Sequence, residues 1–307
     1  MTREGFSSGF VAVVGRPNVG KSTLVNALVR TKVAITSSKP QTTRGSIRGI
    51  LNDDRVQVVF VDTPGYHKPR TLLGEGLNEL VRKAWSSVDL VLFVVDGRAG
   101  IGRGDARVAQ DVHVAGCPTF CVVNKIDRLT RDQIAVRLLE ASELGDFAEF
   151  VPISAATGDG VGLLRDLVTA RMPRGPLYYP EGMSSDVPPP AFVAELVREK
   201  LLERMGDELP HSIAVLTEEF EERDDGVLEI DAVIFVERES QKGMVIGRGG
   251  ETLKAAGTKP AGRSKLCSDA GCSCGSGSKS KRTGSAASTR SHVSVSTFRL
   301  GPCRKRP

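Results

Sequence analysis

The chain lacks most of what would mark a secreted, membrane-spanning or disulfide-stapled protein. Of six cysteines, only Cys117 and Cys121 fall in the first 258 residues. Both lie in apolar surroundings, so buried thiols in a reducing compartment are expected. The longest apolar run, Leu90–Val95, is far shorter than the roughly 20 residues of a spanning helix. The opening stretch, MTREGFSSGF, has no apolar core of a secretory signal. These absences predict a soluble, intracellular protein. Acidic side chains are nearly missing from one region. Residues 259–307 hold 11 Lys or Arg and a single acid, Asp269, a net of +10. The preceding 258 residues hold 31 basic and 36 acidic groups, a net of −5. The body is therefore mildly acidic, and the basic character belongs to the tail.

What is present is a two-part chain. A length of 307 residues with 40% hydrophobic content suits one large domain or two ordinary ones. Near-continuous apolar runs at 10–14, 56–61, 88–95, 119–123 and 149–153 read as strands. Helical patterns at 21–30, 74–85, 105–115, 131–144 and 160–171 separate most of them. That alternation predicts an α/β domain over 1–172, with a mostly parallel sheet covered on both faces. Pro- and Gly-rich residues 173–190 read as a linker. Beyond it, AFVAELVREKLLERMG (191–206) reads as a helix, HSIAVLTEEFEE (211–222) and VLEIDAVIFVER (227–238) as paired strands, and ETLKAA as the start of another helix. Residues 191–258 thus predict a smaller α+β domain, which is incomplete.

GRPNVGKS (15–22) follows a strand and opens a helix, the context in which Gly-rich loops cradle phosphates. Gly15 and Gly20 allow the backbone to aim N–H groups at phosphate oxygens, and the helix N-terminus adds its positive dipole end. Lys21 is placed to reach the β- and γ-phosphates, and the Ser22 hydroxyl to ligate Mg²⁺. Asn18, Val19 and Thr23 complete the loop. The alternative, a strand–helix turn with a chance lysine, has to explain three further motifs as well. DTPG (Asp62, Thr63, Pro64, Gly65) ends the strand 56–61, setting Asp62 beside the metal and the Gly65 N–H toward a γ-phosphate. NKID (Asn124, Lys125, Asp127) ends the strand 119–123, where Asp127 accepts hydrogen bonds from the guanine N1–H and exocyclic amine, which adenine does not offer. Ser154, Ala155 and Ala156 follow the strand 149–153 and supply a backbone contact to the base. DTPG alone is also an ordinary β-turn. Four motifs in order at strand C-terminal ends, where open α/β sheets bind ligands, are not chance.

These residues resemble the translation-factor-like GTPases, and among them the Era family. The similarity runs nearly continuously over 10–258 and includes ITSSKPQTTR (35–44), DTPGYHKP (62–69), SAATGDGV and VERESQKGMVIGRGG. It implies a P-loop GTPase domain followed by a KH-type RNA-binding domain, hydrolysis of GTP to GDP and phosphate with Mg²⁺, and a catalytic set of Lys21, Thr43 and Gly65. Either Thr42 or Thr43 closes on the metal in the first switch; Thr43 is favoured, giving a metal set of Ser22, Thr43 and Asp62. Tyr66 stands where Ras-type enzymes carry a water-orienting glutamine. Asn18 matches an asparagine that in some relatives helps hold K⁺, or it is a local turn residue. Gly247, Arg248, Gly249 and Gly250 match the GxxG loop with which KH domains clamp single-stranded RNA, although two glycines three apart also suit a helix–helix turn. Lys242, Arg248 and Lys254 would meet phosphates. The partners implied are the small ribosomal subunit and the 3′ end of its RNA, with assembly of that subunit as the process. A monomer in the cytoplasm, with peripheral association to the inner membrane, is also implied. Two competing readings are a GTPase whose RNA-binding domain no longer works and an RNA-binding protein with a merely structural nucleotide site.

The tail breaks the resemblance. A KH domain of this type needs another helix and a closing strand, where this chain has KPAGRSKLCSDAGCSCGSGSKSKR. Cys267, Cys272 and Cys274 lack the paired spacing of a zinc site. A disordered basic arm fits the composition. A shifted reading frame after Thr258 fits better. If one base was lost there, the first base of each printed codon was the middle base of a true one. C-S-C-G-S-G-S-K-S-K then alternates apolar and polar, which describes a strand. Residues 259–307 are therefore expected to be out of frame and disordered.

Overall fold

The computed structural model describes residues 5–37, 47–62, 88–204, 213–222, 224, 228–237, 239–257, 273–274 and 291–300. Contacts divide the chain into two units, the first comprising residues 1–36 and 43–186 and the second 37–42 and 187–307.

The first unit is a six-stranded sheet in the order β2-β3-β1-β4-β5-β6. Its strands are β1 (Ser7–Val14), β2 (Ile47–Asp53), β3 (Val56–Asp62), β4 (Leu90–Asp96), β5 (Thr119–Asn124) and β6 (Glu149–Pro152). All neighbours are parallel except β2, which runs antiparallel to β3. Successive side chains point to opposite faces, so an unbroken apolar strand feeds two cores. Val11, Val13, Phe60 and Leu92 pack with Leu24 and Leu28 of α1 (Lys21–Val29) and Leu164 and Val168 of α4 (Val161–Arg171). Ala12, Val14, Phe93 and Val95 pack on the other face with Val108 and Val112 of α2 (Arg103–Ala115) and Ala141 of α3 (Arg131–Ser142). Phe147 joins that second core, 5.7 Å from the Phe93 ring and 5.6 Å from Phe150.

β2 was not legible as a strand in IRGILND, because it has one neighbour and its pattern mixes Arg, Gly and Asn with apolar residues. The expected helix 74–85 lies outside the described residues.

Residues 173–186, expected as linker, form a strap tied to the sheet. The Ser8 N–H donates to the Pro173 carbonyl at 2.9 Å, and the Ile50 N–H to the Ser184 carbonyl at 2.8 Å. Asn52 Nδ2 donates to the Met183 carbonyl at 2.8 Å. The amide of Gln57, wholly buried on β3, accepts from the N–H groups of Tyr178 and Tyr179 and donates to the Tyr179 carbonyl. Prolines suit such a strap, since they lack only an N–H donor and the carbonyls of Pro173 and Pro176 still accept from Ser8.

The second unit packs helices on one face of an antiparallel sheet of order β7-β8-β10-β9. It comprises α5 (Pro189–Arg204), β7 (Ile213–Glu222), β8 (Leu228–Val236), α6 (Glu239–Ile246), α7 (Glu251–Gly257), β9 (Ser273–Cys274) and β10 (Ser291–Leu300). Val197 and Leu201 of α5, Val245 of α6 and Ala256 of α7 cover Ile213, Val215, Ile230, Ala232, Ile234 and Val236. Strands at 273–274 and 291–300 depart from the expectation of a disordered tail. SHVSVSTFRL alternates apolar and polar residues on either side of an irregularity between Val295 and Phe298. Register places Val293 opposite Ile234 and Val295 opposite Ala232, positions on the covered face. Among the described residues no helix is long and apolar enough to cross a membrane.

Candidate functional site

The sheet order reverses direction around β1, which lies between β3 and β4. Open α/β sheets bind ligands at that point, beyond the strand C-termini. The loop from Gly15 to Gly20 leaves β1 there and runs into α1.

Its conformation requires its sequence. Gly15 and Gly20 have φ of 149° and 99°, values that L side chains rarely adopt. A Cβ at Gly15 would also strike the Val94 carbonyl, and one at Gly20 the Asn124 side-chain amide. Asn18 takes the left-handed conformation as well, at φ 65°. Lys21 is 7% exposed, and its Nζ donates to the carbonyl oxygens of Gly15 at 3.1 Å and Arg16 at 3.0 Å. Burial pushes its ammonium down from the usual 10.5 to about 8, against a smaller upward pull from Asp62. The lysine is thus a poorly solvated cation resting on carbonyl dipoles, which an anion would hold far better.

Ser22, at the second position of α1, donates its hydroxyl to Asp62 Oδ2 at 2.7 Å. Asp62 closes β3 and is fully buried. A hydroxyl and a carboxylate are hard oxygen donors suited to Mg²⁺, so these two residues fit the metal expected of them. Thr42, Thr43, Thr63, Pro64, Gly65 and Tyr66 lie outside the described residues.

The third and fourth motifs meet across β5 and β6. Asn124, 2% exposed, braces three loops. Its Nδ2 donates to the Val19 carbonyl at 2.8 Å, and its Oδ1 accepts from the Lys125 N–H at 2.8 Å and the Ala155 N–H at 3.0 Å. Lys125, left-handed at φ 70°, donates Nζ to the Asn18 carbonyl and to Asp96 Oδ2, both at 2.6 Å. Asp127 Oδ1 accepts the Ser154 hydroxyl at 2.7 Å, and Oδ2 pairs with Arg128 Nε at 3.0 Å. Ser154 is buried and its Oγ also accepts the Thr157 N–H at 3.2 Å. Ala155 is buried and Ala156 exposed. The acceptor expected to read a base is thereby held in place by its neighbour. Sequence reasoning missed Asp96, although it ends β4 in register with Asn124, an acid closing an apolar strand.

In the second unit, Gly247–Gly250 link α6 to α7. Gly247, Gly249 and Gly250 have φ of 75°, 59° and 80°. A Cβ at Gly247 would strike Thr252, whereas Gly249 and Gly250 face open space. Arg248 is exposed and Lys242 half-buried. The side chain of Lys254 lies outside the described residues. The two units carry two separate candidate sites.

Comparison with known proteins finds relatives of both units. The family model described as a 50S ribosome-binding GTPase matches residues 10–125, and the KH domain model matches 208–261. The chain is 49% identical over 259 residues to the GTPase Era of Mycobacterium avium (strain 104), covering 82% of this chain and 86% of that one. It is 48% identical over 267 residues to the GTPase Era of Mycobacterium tuberculosis (strain ATCC 25177 / H37Ra), covering 85% and 88%. A crystal structure of Era in complex with MgGDPNP and nucleotides 1506–1542 of 16S ribosomal RNA aligns with a TM-score of 0.77 at 35% identity, over 82% of this chain and 86% of that one. An Aquifex aeolicus Era variant bound to GDP·AlF4⁻ aligns with the same score, identity and coverage.

Proposed function

The chain belongs to the Era family of GTPases, and from that premise we propose that it is a switch whose guanine-nucleotide state governs its hold on the RNA of the small ribosomal subunit. It is an enzyme that hydrolyses GTP: water attacks the γ-phosphorus, the bond to the β–γ bridging oxygen breaks, and GDP and phosphate leave. The observation that carries the nucleotide reading is the cluster of Lys21, Ser22 and Asp62. A buried cation lies on the carbonyls of a Gly-rich loop, next to a hydroxyl 2.7 Å from a buried carboxylate.

Each residue has a physical task. Lys21, released from the carbonyls of Gly15 and Arg16, pairs with the β- and γ-phosphates. Backbone N–H groups of the loop and of the α1 N-terminus receive the remaining phosphate oxygens. Ser22 and Asp62, with Thr43, hold Mg²⁺, which neutralises phosphate charge when bound. The Gly65 N–H meets the γ-phosphate. Asp127 accepts from the guanine edge, with Ser154, Ala155 and Ala156 at the base. Asn18 helps to hold K⁺ near the phosphates, supplying the charge an arginine would give elsewhere.

In the second unit, Gly247–Gly250 clamp the RNA backbone, while Lys242, Arg248 and Lys254 meet its phosphates. The support is the open space at Gly249 and Gly250 and the exposure of Arg248. We place the RNA contact at the 3′ end of the small-subunit RNA and the work in the cytoplasm. Peripheral contact with the inner membrane rests on the family resemblance alone.

Calorimetric titration of the full chain with GTP, GDP and ATP tests the nucleotide site. GTP and GDP should bind far more tightly than ATP. Comparable ATP binding would sink the assignment.

A further inference from the structure

We propose that Asp105, which lies outside every nucleotide motif, is a positioning residue for the phosphate loop and acts through Arg16. Arg16 Nε donates to Asp105 Oδ1 at 2.8 Å, across 89 positions of sequence. The carboxylate is completely buried and the guanidinium one-third exposed. Asp105 is itself fixed: its Oδ2 accepts the Gly102 N–H at 3.0 Å, and its own N–H donates to the Gly102 carbonyl at 2.9 Å. It sits in the first turn of α2, where the helix dipole favours a negative charge. The helix is anchored in turn by Val108, Ala109 and Val112, all buried in the core beneath it.

The neighbourhood is shaped for this pair. A Cβ at Gly104 would come within 2.6 Å of Arg16 Cδ, so the arginine reaches Asp105 across a surface left bare for it. Arg16 also carries the carbonyl on which Lys21 Nζ rests at 3.0 Å. A physical chain therefore runs from a rigid helix, through an ion pair, to the backbone that sets the starting position of Lys21. The loop between Gly15 and Gly20 contains three left-handed or otherwise positive-φ residues, a shape that a free loop does not hold by itself. Pinning residue 16 keeps the loop ready before nucleotide arrives, and that preorganisation is recovered as affinity. Exposed ion pairs contribute little. This one has a buried acceptor and a charge-assisted hydrogen bond, and losing the arginine leaves that acceptor uncompensated.

The inference rests on the guanine-nucleotide reading of the site. The full chain is compared with Asp105→Asn, Arg16→Gln, the double variant and Gly104→Ala. Asp105→Asn keeps an oxygen for the Gly102 N–H but turns an NH2 donor toward Arg16, removing the ion pair and its hydrogen bond; Gly104→Ala keeps both charges and displaces Arg16. Affinities for fluorescent GDP and GTP analogues should each fall about tenfold in every single variant. The double variant should lose no more than the weaker single, since the pair acts as a unit. KM for GTP should rise with the loss of affinity. The ratio of GTP to ITP affinity should not move, because Asp127 reads the exocyclic amine elsewhere. Unchanged affinities with a lowered unfolding midpoint would show a fold-stabilising pair and overturn the proposal. Additive losses in the double variant, or collapse of the GTP-to-ITP ratio together with affinity, would overturn it too. A parent chain that binds no guanine nucleotide overturns the site reading before any variant is compared, so the two failures are distinct.

Discussion

Gln57 and Tyr179 hold each other by two hydrogen bonds of opposite sense. Gln57 Nε2 donates to the Tyr179 carbonyl at 2.9 Å, and Gln57 Oε1 accepts the Tyr179 N–H at 2.9 Å. The same amide accepts from the Tyr178 N–H at 2.8 Å and donates to Asn52 Oδ1 at 2.8 Å. A fully buried amide with all its hydrogen-bonding capacity used is a clamp, and it closes the strap on the strand that ends at Asp62. Gln57→Leu keeps much of the volume and strands backbone groups of Tyr178 and Tyr179. It should cost about 2–4 kcal/mol, read by chemical denaturation, and open 173–186 to proteolysis. An equally stable, protease-resistant variant would show that other contacts hold the strap.

The lowered pKa of Lys21 gives two pH dependences of opposite sign. In the nucleotide- and metal-free chain the folded lysine titrates near 8, against 10.5 when unfolded. Between those values the unfolded state binds more protons, so stability rises with pH there; below about 8 the cost of burying the cation is fully present. Phosphates favour the charged form, so nucleotide affinity is complete below about 8 and falls as pH rises above it. Triphosphate binding at pH 9 should be several-fold weaker than at pH 7, with proton uptake visible by calorimetry in buffers of different ionisation enthalpy. Lys21→Ala should weaken binding at every pH and flatten the profile. A wild-type profile that stays flat from pH 7 to 9 contradicts the assignment.

Asp127 is held through one oxygen by Ser154 and through the other by Arg128, with its side chain 21% exposed. Asp127→Asn exchanges an acceptor for a donor. Guanine nucleotides should lose on the order of 100-fold or more in affinity, while xanthine nucleotides, whose C2 carbonyl accepts the new N–H, gain. Competition between GTP and XTP measures the swap. Retention of GTP preference by the variant would place base reading elsewhere.

Much of this site was legible because it lies where apolar strands stop. Lys21, Asp62, Asn124, Asp127 and Ser154 follow runs that are unmistakable as buried strands, and a parallel sheet gathers the C-terminal ends of such strands. Gln57, Asp96 and Asp105 were not legible as parts of it. Each owes its role to a partner far away in sequence, Tyr179, Lys125 and Arg16 respectively, and nothing local distinguishes it. β2 was missed for a related reason: it reads as mixed polar sequence, and only pairing with β3 makes a strand of it. β10 alternates apolar and polar residues, and it was missed because the whole tail was expected to be disordered.

Asn18 is exposed and left-handed, with its carbonyl engaged by Lys125. The residue is at the surface of the phosphate loop, and the proposed role of its amide in holding a monovalent cation has a direct test. Exchanging Na⁺ for K⁺ at constant ionic strength should speed GTP hydrolysis, and Asn18→Ala should abolish the difference. Equal rates in the two salts would remove the role.

The tail poses the last test. The KH match ends at residue 261, and between 259 and 290 Leu266 is the only large aliphatic or aromatic residue. β10 adds a strand to the sheet between β8 and β9, but such a composition cannot supply a further helix with an apolar face. We therefore propose that restoring one base after codon 258 completes the second unit. The restored chain should resist proteolysis in its C-terminal third and bind an RNA of the small-subunit 3′ end more tightly and selectively than the printed one. The tail's net charge of +10 gives the printed chain salt-sensitive, unselective RNA binding, so the comparison belongs at moderate salt beside an unrelated RNA. Arg248→Ala should weaken selective binding by both chains, and total binding more in the restored chain than in the printed one, where the tail's charge adds unselective affinity. If the two chains match in protease resistance, selectivity and response to Arg248→Ala, the printed tail is a working part of the protein and β10 is the strand that closes its sheet.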